Sequence, residues 1–372
     1  MIVINARFLT QPLSGVQRFA EQISLSLARL RSDLRFVAPP GEILRPEIAR
    51  QLGVEQVGRH QGHLWEQLDL PLWLARQGRP LLVSLCSTAP LAYRRQLATH
   101  HDITYVRHPQ SFSWKFRALY RVMIPLMLRR SLALISVSEF SRQEIASHYG
   151  LATQRIHVIG NAVSAEFCPG VETAESGRPY VLAVSSPAPH KNFARLVEAF
   201  GLLADLDVEL RIVGAANRSF ADAALPQGAQ DERVRWLGRL DDDQLIEQYR
   251  HAAAFAFPSL YEGFGIPPLE AQACGCPVVA ASSASIPEVL GNSVLYFDPY
   301  DPAGMAAALR RVLLDHQLRA ELRQLGQDNV LRYSWDISAL RLSSLIDSCL
   351  LERSEHPPHY DAKRIAKQGG RS

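Results

Sequence analysis

Glu262 and Glu270 stand eight positions apart in the segment YEGFGIPPLEAQACGCPVVAA, which runs from Tyr261 to Ala281. Between them lie Gly263, Gly265 and the adjacent Pro267 and Pro268. Upstream, AAAFAFPS carries no charge, as a strand buried on both faces requires, and it ends at Pro258. The two prolines suit the first turn of a helix, where a missing N–H costs little. Gly275 suits that helix's C-terminal stop, and PVVAA reads as the next strand. The order is therefore strand, loop, helix, strand. The glycines let the loop backbone approach a ligand and adopt positive φ. The helix start offers free N–H groups and the positive end of a dipole, which favour a phosphate. Carboxylates do not favour phosphates, but they accept hydrogen bonds from hydroxyls. Two of them around an anion site fit a phosphate with a sugar on each side. That ligand is a sugar nucleotide, one glutamate taking the transferred sugar and the other the ribose. The spacing alone is equally open to a Gly/Pro-rich turn with a capping glutamate.

Such a site needs elements to hold it. The chain shows no internal repeat at a fixed period. Short β-rich runs followed by turns or helices recur from the N-terminus: MIVINA, RFVAP, PLLVSL, QLATHHD and LALISVS, with helical periodicity over 16–31. After Gly160 the polar, small-residue stretch NAVSAEFCPGVETAESGRP reads as a linker. A second series follows: YVLAVSS, a helix over 192–204, ELRIVG, VRWLG, a helix over 242–252, AAAFAFPS, a helix over 267–274, PVVAA, SVLYF and a helix over 302–314. Buried strands alternating with helices imply an α/β chain with parallel sheets. At 372 residues, two doubly wound halves of similar size are the simplest architecture. The polar segment 353–372 reads as a disordered tail.

No run of eighteen apolar residues exists, which argues against a membrane span. The N-terminus lacks the basic region, apolar stretch and cleavage site of a signal peptide. Five scattered cysteines suit a reducing cytoplasm. The net charge of +3 hides an asymmetry: residues 1–165 carry 20 basic and 10 acidic side chains, the remainder 20 and 27. A basic first half suggests an anionic partner, for which nucleic acid and a membrane surface both qualify, unless it is only an unevenly charged solvated surface.

PSLYEGFGIPPLEAQACGCPVVAA followed by SIPEVLG closely resembles the hallmark segment of retaining glycosyltransferase family 4. SGVQRF resembles that family's glycine loop, and HDITYVRHP, SVSEFSRQEI and VIGNAV resemble its first-domain signatures. PHKNFARLVEAF resembles its phosphate-binding lysine motif, and VRWLGRLDDDQLIEQYRHAAAFAFPS the run into the glutamate segment. The likeness extends over most of the chain. It implies the GT-B fold, two Rossmann-like doubly wound domains facing a cleft. Residues 1–163 would form the acceptor-binding domain and 176–334 the nucleotide-sugar-binding domain. A C-terminal helix over about 335–352 would cross back to the first domain with Trp335 as its anchor, and the linker near Asn161 would act as a hinge.

The resemblance also implies roles. Glu262 would bond hydroxyls of the donor sugar and Glu270 the ribose, while the backbone of Phe264, Gly265 and Ile266 contacts sugar and phosphates. Lys191 would neutralise the diphosphate, which gains charge as the glycosidic bond breaks. Gly15 would let backbone of the first domain approach that diphosphate. His101 would bond a sugar hydroxyl and shape an oxocarbenium-like transition state, with Asp102 orienting its loop. Without the resemblance, Lys191 reads as a solvated lysine before a helix, Gly15 as an ordinary turn and His101 as a core histidine. One departure stands out. Ser185 and Ser186 occupy the place where the family usually carries Gly-Arg, so His190 or Arg239 is left to compensate.

No metal is expected. DLD at 205–207 lies between a helix and a strand, and DDD at 241–243 sits where a helix N-cap belongs. His100, His101 and Asp102 are adjacent, and neighbouring side chains on a strand point oppositely. The lone GFG lacks the spacing of a dinucleotide fingerprint. In SWKFRALYRVMIPLMLRR (113–130), bases alternate with large apolar residues. On a helix, Lys115, Arg117, Arg121, Arg129 and Arg130 could meet lipid phosphates at a membrane surface, or the apolar stripe could simply pack within the domain.

The expectation is a retaining, metal-independent glycosyltransferase without a cofactor. It would move a hexose, with mannose or rhamnose from a GDP donor favoured, to a glycan or polyprenyl-diphosphate-linked acceptor during surface-polysaccharide synthesis. It would be cytoplasmic, peripheral on the inner face of the membrane, and would not bind nucleic acid. The rival readings are a sugar-nucleotide epimerase or hydrolase of the same architecture, and a non-catalytic binding subunit.

Overall fold

The computed structural model of the chain describes residues 1–170, 177–185, 188–214 and 231–355. Short apolar strands joined by crossovers build two sheets, in which every pair of neighbours is parallel. The first sheet takes β1 (Ile2–Asn5), β2 (Leu34–Ala38), β3 (Glu55–Gln56), β4 (Leu81–Ser84), β5 (Gln96–Thr99), β6 (Ala133–Ser136) and β7 (Ile156–Val158) in the order β3-β2-β1-β4-β5-β6-β7. The second takes β8 (Tyr180–Val184), β9 (Glu209–Val213), β10 (Val234–Gly238), β11 (Ala254–Phe257), β12 (Val278–Ala281) and β13 (Leu295–Phe297) in the order β10-β9-β8-β11-β12-β13. Strand order reverses between β1 and β4 and again between β8 and β11. In open α/β sheets such switch points leave a crevice at the carboxyl ends of the strands, where ligands bind.

The residues on these central strands explain their position. IVIN, LLVS, ALIS, AFAF and VVAA are buried at every position, as strands covered on both faces must be. The helices that matter here are α1 (Gly15–Leu30), α2 (Trp114–Arg130), α3 (Glu139–Tyr149), α4 (Phe193–Gly201), α5 (Asp242–His251), α6 (Ile266–Ala273), α7 (Ile286–Leu290), α8 (Pro302–Leu314), α9 (His316–Val330) and α10 (Trp335–Glu355).

Helix α10 returns from the second sheet to lie along α1. Arg29 pairs with Asp336 at 2.5 Å, Arg31 pairs with Asp347 at 2.7 Å, and the Trp335 and Phe19 rings stand 6.1 Å apart. It takes up the first three residues of the expected tail, and 356–372 lie outside the described residues. One apolar cluster passes through both halves by way of Ile159, Ala162, Phe167, Phe264 and Trp335. Among the described residues no helix is long and apolar enough to cross a membrane.

Candidate active site

Lys191 and Glu262 follow β8 and β11, the strands that flank the switch point of the second sheet. Lys191 ends a 3-10 turn, Pro189–Lys191, after which Asn192 takes a left-handed conformation at φ 62°. The buried Asn192 side chain donates to the carbonyls of Pro258 (3.1 Å) and Pro299 (2.8 Å), pinning that turn to the loops after β11 and β13. Lys191 Nζ then donates to both oxygens of Glu262, at 2.8 and 3.0 Å. The two side chains are 16% and 12% exposed, so their charges face each other in a largely dry crevice.

The loop carrying Glu262 is fixed from behind. Ser285 Oγ donates to the carbonyls of Glu262 and Phe264, at 2.9 and 3.2 Å. Gly265 precedes α6 at φ +94°, and no side chain caps the helix; Pro267 and Pro268 carry no N–H, so of the first three helical positions only Ile266 has one to offer an anion. Gly275, at φ +77°, follows the helix and stops it.

Glu270 lies on α6, 5% exposed. Tyr249 Oη donates to its Oε2 at 3.2 Å, and Arg18 Nε stands 4.0 Å from Oε1. Burial raises the carboxyl to about 7, against the opposing pull of Arg18 and the Tyr249 hydrogen bond.

Across the cleft, His101 follows β5. Its Nε2 lies 3.0 Å from the Leu85 carbonyl, which can only accept, so Nε2 carries the proton and Nδ1 is left as an acceptor. Burial holds the ring below the ordinary histidine range and therefore neutral. Phe19 packs edge-on against it, with centroids 5.1 Å apart. Asp102 Oδ1 accepts from the Thr104 N–H at 2.8 Å and fixes the turn that follows.

The two halves meet along the glutamate loop. A Cβ at Gly263 would lie 2.9 Å from Asp102 Cβ and 3.1 Å from the His101 carbonyl. Ser138 and Ser141, at the start of α3, donate to the Gly263 carbonyl at 2.6 and 3.1 Å. This revises the reading of Gly263 as a place for ligand approach: its missing side chain admits the other half of the protein. Glu288 of α7 accepts from the N–H groups of Glu139 and Phe140, 2.8 Å each, and so caps α3 from the opposite half. At the start of α1, a Cβ on Gly15 would come within 3.9 Å of Ile266 Cδ1, which sets the first turns of α1 and α6 face to face.

The structure thus brings Lys191, Glu262, Phe264, Gly265, Ile266 and Glu270 to one crevice, with Gly15 and His101 on its opposite wall. Arg239 does not join them. It is exposed on the loop before α5 and makes no hydrogen bond or ion pair among the described residues. His190 does not replace a cation either. It faces the first half, with Nδ1 2.9 Å from Ser111 Oγ, and burial lowers it to about 4, leaving it neutral. Ser186 lies outside the described residues. Asp241 caps α5 through a reciprocal bond with Gln244, and Asp205 and Asp207 pair with Arg310 and Arg178. Lys115, Arg117, Arg121, Arg129 and Arg130 are all exposed on α2.

Sequence reasoning passed over four positioning residues: Arg18, Asn192, Ser138 and Glu288. Asn192 had a signal in the KN pair after the turn. The destinations of the others are tertiary.

Comparisons with known proteins place the chain in a family. Residues 166–328 match the family described as glycosyl transferases group 1, and residues 13–167 match glycosyltransferase family 4. The O-antigen chain mannosyltransferase B of Escherichia coli is 30% identical over 264 residues, covering 66% of this chain and 68% of that protein. The chain belongs to the family 4 glycosyltransferases. The serotype-specific mannosyltransferase WbdA of Escherichia coli is 29% identical over 223 residues, 55% of this chain but 27% of that longer protein. Among solved structures, Anabaena HepE in complex with UDP and glucose superposes with a TM-score of 0.73 at 19% identity, covering 93% of this chain and 99% of that one. The glycosyltransferase described here therefore has the GT-B fold, two parallel-sheet Rossmann-like domains with a cleft between them.

Proposed function

We propose that this glycosyltransferase moves a hexose from a nucleoside diphosphate to a glycan or lipid-linked glycan hydroxyl with retention of anomeric configuration, without a metal. Mannose is the favoured sugar and GDP the favoured carrier, in line with the mannosyltransferases it resembles, and surface-polysaccharide synthesis is the setting. The observation that carries the reading is the Lys191–Glu262 pair beside the uncapped start of α6. A sugar diphosphate would part this pair. Lys191 and the Ile266 N–H at the start of α6 would then face the diphosphate, and Glu262 would accept from the hexose hydroxyls. Glu270 would hold the ribose.

In the step itself, the C1–O bond of the donor breaks and its electron pair goes to the β-phosphate oxygen. The acceptor oxygen bonds C1 on the same face, and its proton passes to the departing phosphate. Lys191 offsets the charge that develops on the leaving group. His101, neutral with Nδ1 free to accept, would orient a hexose hydroxyl from the opposite wall.

Helix α2 supports attachment to an anionic membrane surface. Trp114, Val122 and Leu126 are 69%, 62% and 38% exposed and fall on one arc with Ala118, at steps of four residues. Lys115 and Arg129 interleave with them, Arg121, Arg130 and Arg117 flank the arc, and the helix carries no acidic residue. Met123, Ile124, Met127 and Leu128 pack on the other side, so the helix both completes the domain and presents an amphipathic face.

The test is a panel of labelled GDP-, UDP-, ADP- and dTDP-hexoses offered with lipid-linked glycan acceptors, with and without EDTA. Extension of the glycan by an α-linked sugar, unchanged by EDTA, is expected. Release of free sugar, or an altered nucleotide sugar without any acceptor, would instead make it a hydrolase or epimerase.

A further inference from the structure

Arg18 sits in the first turn of α1, where a cation opposes the helix dipole by about 0.3–1 kcal/mol. Its placement has another use. The side chain, 15% exposed, leaves its own half and enters the other, 224 residues away in sequence. Nη1 and Nη2 donate to the two oxygens of Asp242, at 3.0 and 2.6 Å. This fork fixes the plane of the guanidinium and leaves Nε, which stands 4.0 Å from Glu270 Oε1.

We propose that Arg18 is a positioning residue of the donor site, holding Glu270 as a carboxylate and doing so only when the two halves are closed on each other. The inference rests on the reading of Glu270 as the group that takes the donor ribose. A ribose presents two adjacent hydroxyls, each best used as a donor. A carboxylate accepts both, whereas a protonated carboxyl spends one oxygen as a donor.

The charges around Glu270 leave that choice to Arg18. From α5 it faces Asp242 and the Tyr249 hydroxyl, from α1 Arg18 with Glu21 behind it, and on its own helix Cys274. Two of these are carboxylates, and Arg18 is the cation that acts on Glu270 among the described residues. Burial already raises Glu270 to about 7 with Arg18 in place. When the halves part, Arg18 leaves with α1, while Asp242 and the Tyr249 contact from α5 remain. Glu270 then takes a proton, and the open form grips a nucleotide less well. Closure and donor affinity are thereby coupled through one guanidinium.

The experiment compares wild type, Arg18→Gln, Arg18→Lys and Glu270→Gln, measuring kcat and KM for the donor from pH 5.5 to 9 and the binding of GDP alone over the same range. With Arg18→Gln, the acidic limb of donor kcat/KM should move up by about one pH unit, with KM about fivefold higher at pH 7 and kcat at pH 9 within about threefold of wild type. Arg18→Lys, which keeps the charge and loses the fork, should lie between the two. Glu270→Gln should abolish the limb. If Arg18→Gln lowers activity equally at every pH, Arg18 only braces the halves and the inference falls. If Glu270→Gln leaves donor KM and the pH profile unchanged, the assignment of the ribose to Glu270 falls instead, whatever Arg18 does. Should Arg18→Gln be too slow to assay, the pH dependence of GDP binding reads the same limb.

Discussion

Replacing Lys191 by glutamine would test the centre of the site. Within the crevice Lys191 and Glu262 are 16% and 12% exposed and joined at 2.8 and 3.0 Å. Breaking one side of a fully buried pair costs about 3–5 kcal/mol and of an exposed pair about 0–1, so about 2 kcal/mol is expected here. For a unit of the size of the second half, that lowers the melting temperature by roughly 4–8 °C. The effect on turnover is separate. A fixed positive group on the departing diphosphate is worth about 10²–10³ in kcat. Lys191→Gln should therefore lose both stability and rate, and the double variant Lys191→Gln/Glu262→Gln should recover most of the stability and none of the rate.

Glu262→Gln alone sharpens the test, because the pair and the donor compete for the same lysine. Freed from its partner, Lys191 should bind GDP about fivefold more tightly, a gain of about 1 kcal/mol, while GDP-hexose loses its hydroxyl acceptor and binds more weakly. Calorimetry on the two ligands reads this divergence directly. Turnover of Lys191→Gln within about threefold of wild type, a difference of only ~0.7 kcal/mol, would refute the placement of the diphosphate at Lys191.

Gly263→Ala should splay the seam, since its Cβ has 2.9 Å to Asp102; kcat/KM should fall by about 10², and the scattering radius should grow while each half melts as before. Glu270 is raised from an ordinary 4.5 to about 7, so the folded protein holds its proton more tightly than the unfolded chain, and its charge costs stability that is absent below pH 4.5 and fully present above 7. Glu270→Gln should accordingly gain on the order of 3 kcal/mol over wild type at pH 8 and almost nothing at pH 4.5, and an equal difference in melting temperature at both would contradict this. On vesicles, the protein should float with anionic lipid and not with neutral lipid. Arg121→Glu and Arg129→Glu should each weaken that binding by at least about fivefold, and Trp114→Ala should also weaken it.

Much of the fold was legible because buried parallel strands leave an unmistakable trace. VRWLG and the helix over 302–314 fall at the observed boundaries, and AAAFAFPS, PVVAA and MIVINA shrink by only a few residues at their ends. Helix α9 escaped because its apolar positions are sparse: it packs on α6 through Gly326, where a Cβ would come 2.9 Å from Gln272 Cγ. The π-helical turn Trp65–Asp69 escaped too, since no period of 3.6 or 2 describes it. At the site, residue type suggested which groups could grip a sugar nucleotide, but not which faces they would turn. His190 and Arg239 are basic residues close in sequence to the crevice, yet one is neutral against Ser111 and the other points to solvent. Arg18 reads from sequence as an ordinary helical residue, because its partners are fixed only when the halves meet.

That meeting and the proposed grip on the donor share one short loop, in which successive residues serve different masters. Glu262 turns to Lys191, the Gly263 carbonyl to Ser138 and Ser141 of the other half, the Phe264 ring to Tyr333 and the backbone at Gly160, and Gly265 to the start of α6. A shift at any one of these displaces its neighbours, since Ser285 ties the carbonyls of both Glu262 and Phe264 to a single hydroxyl. A ligand that parts Lys191 from Glu262 therefore acts on the seam as well as on the crevice. Conversely, the Glu288 cap on α3 holds that seam from a few residues beyond Ser285. Removing the cap alone, by Glu288→Gln, would leave every donor-facing group in place. It should nevertheless raise donor KM, by the roughly 1–3 kcal/mol that two charge-assisted bonds at a helix start contribute to closure. A Glu288→Gln enzyme with wild-type KM and an unchanged scattering radius would show that donor binding and closure are independent after all.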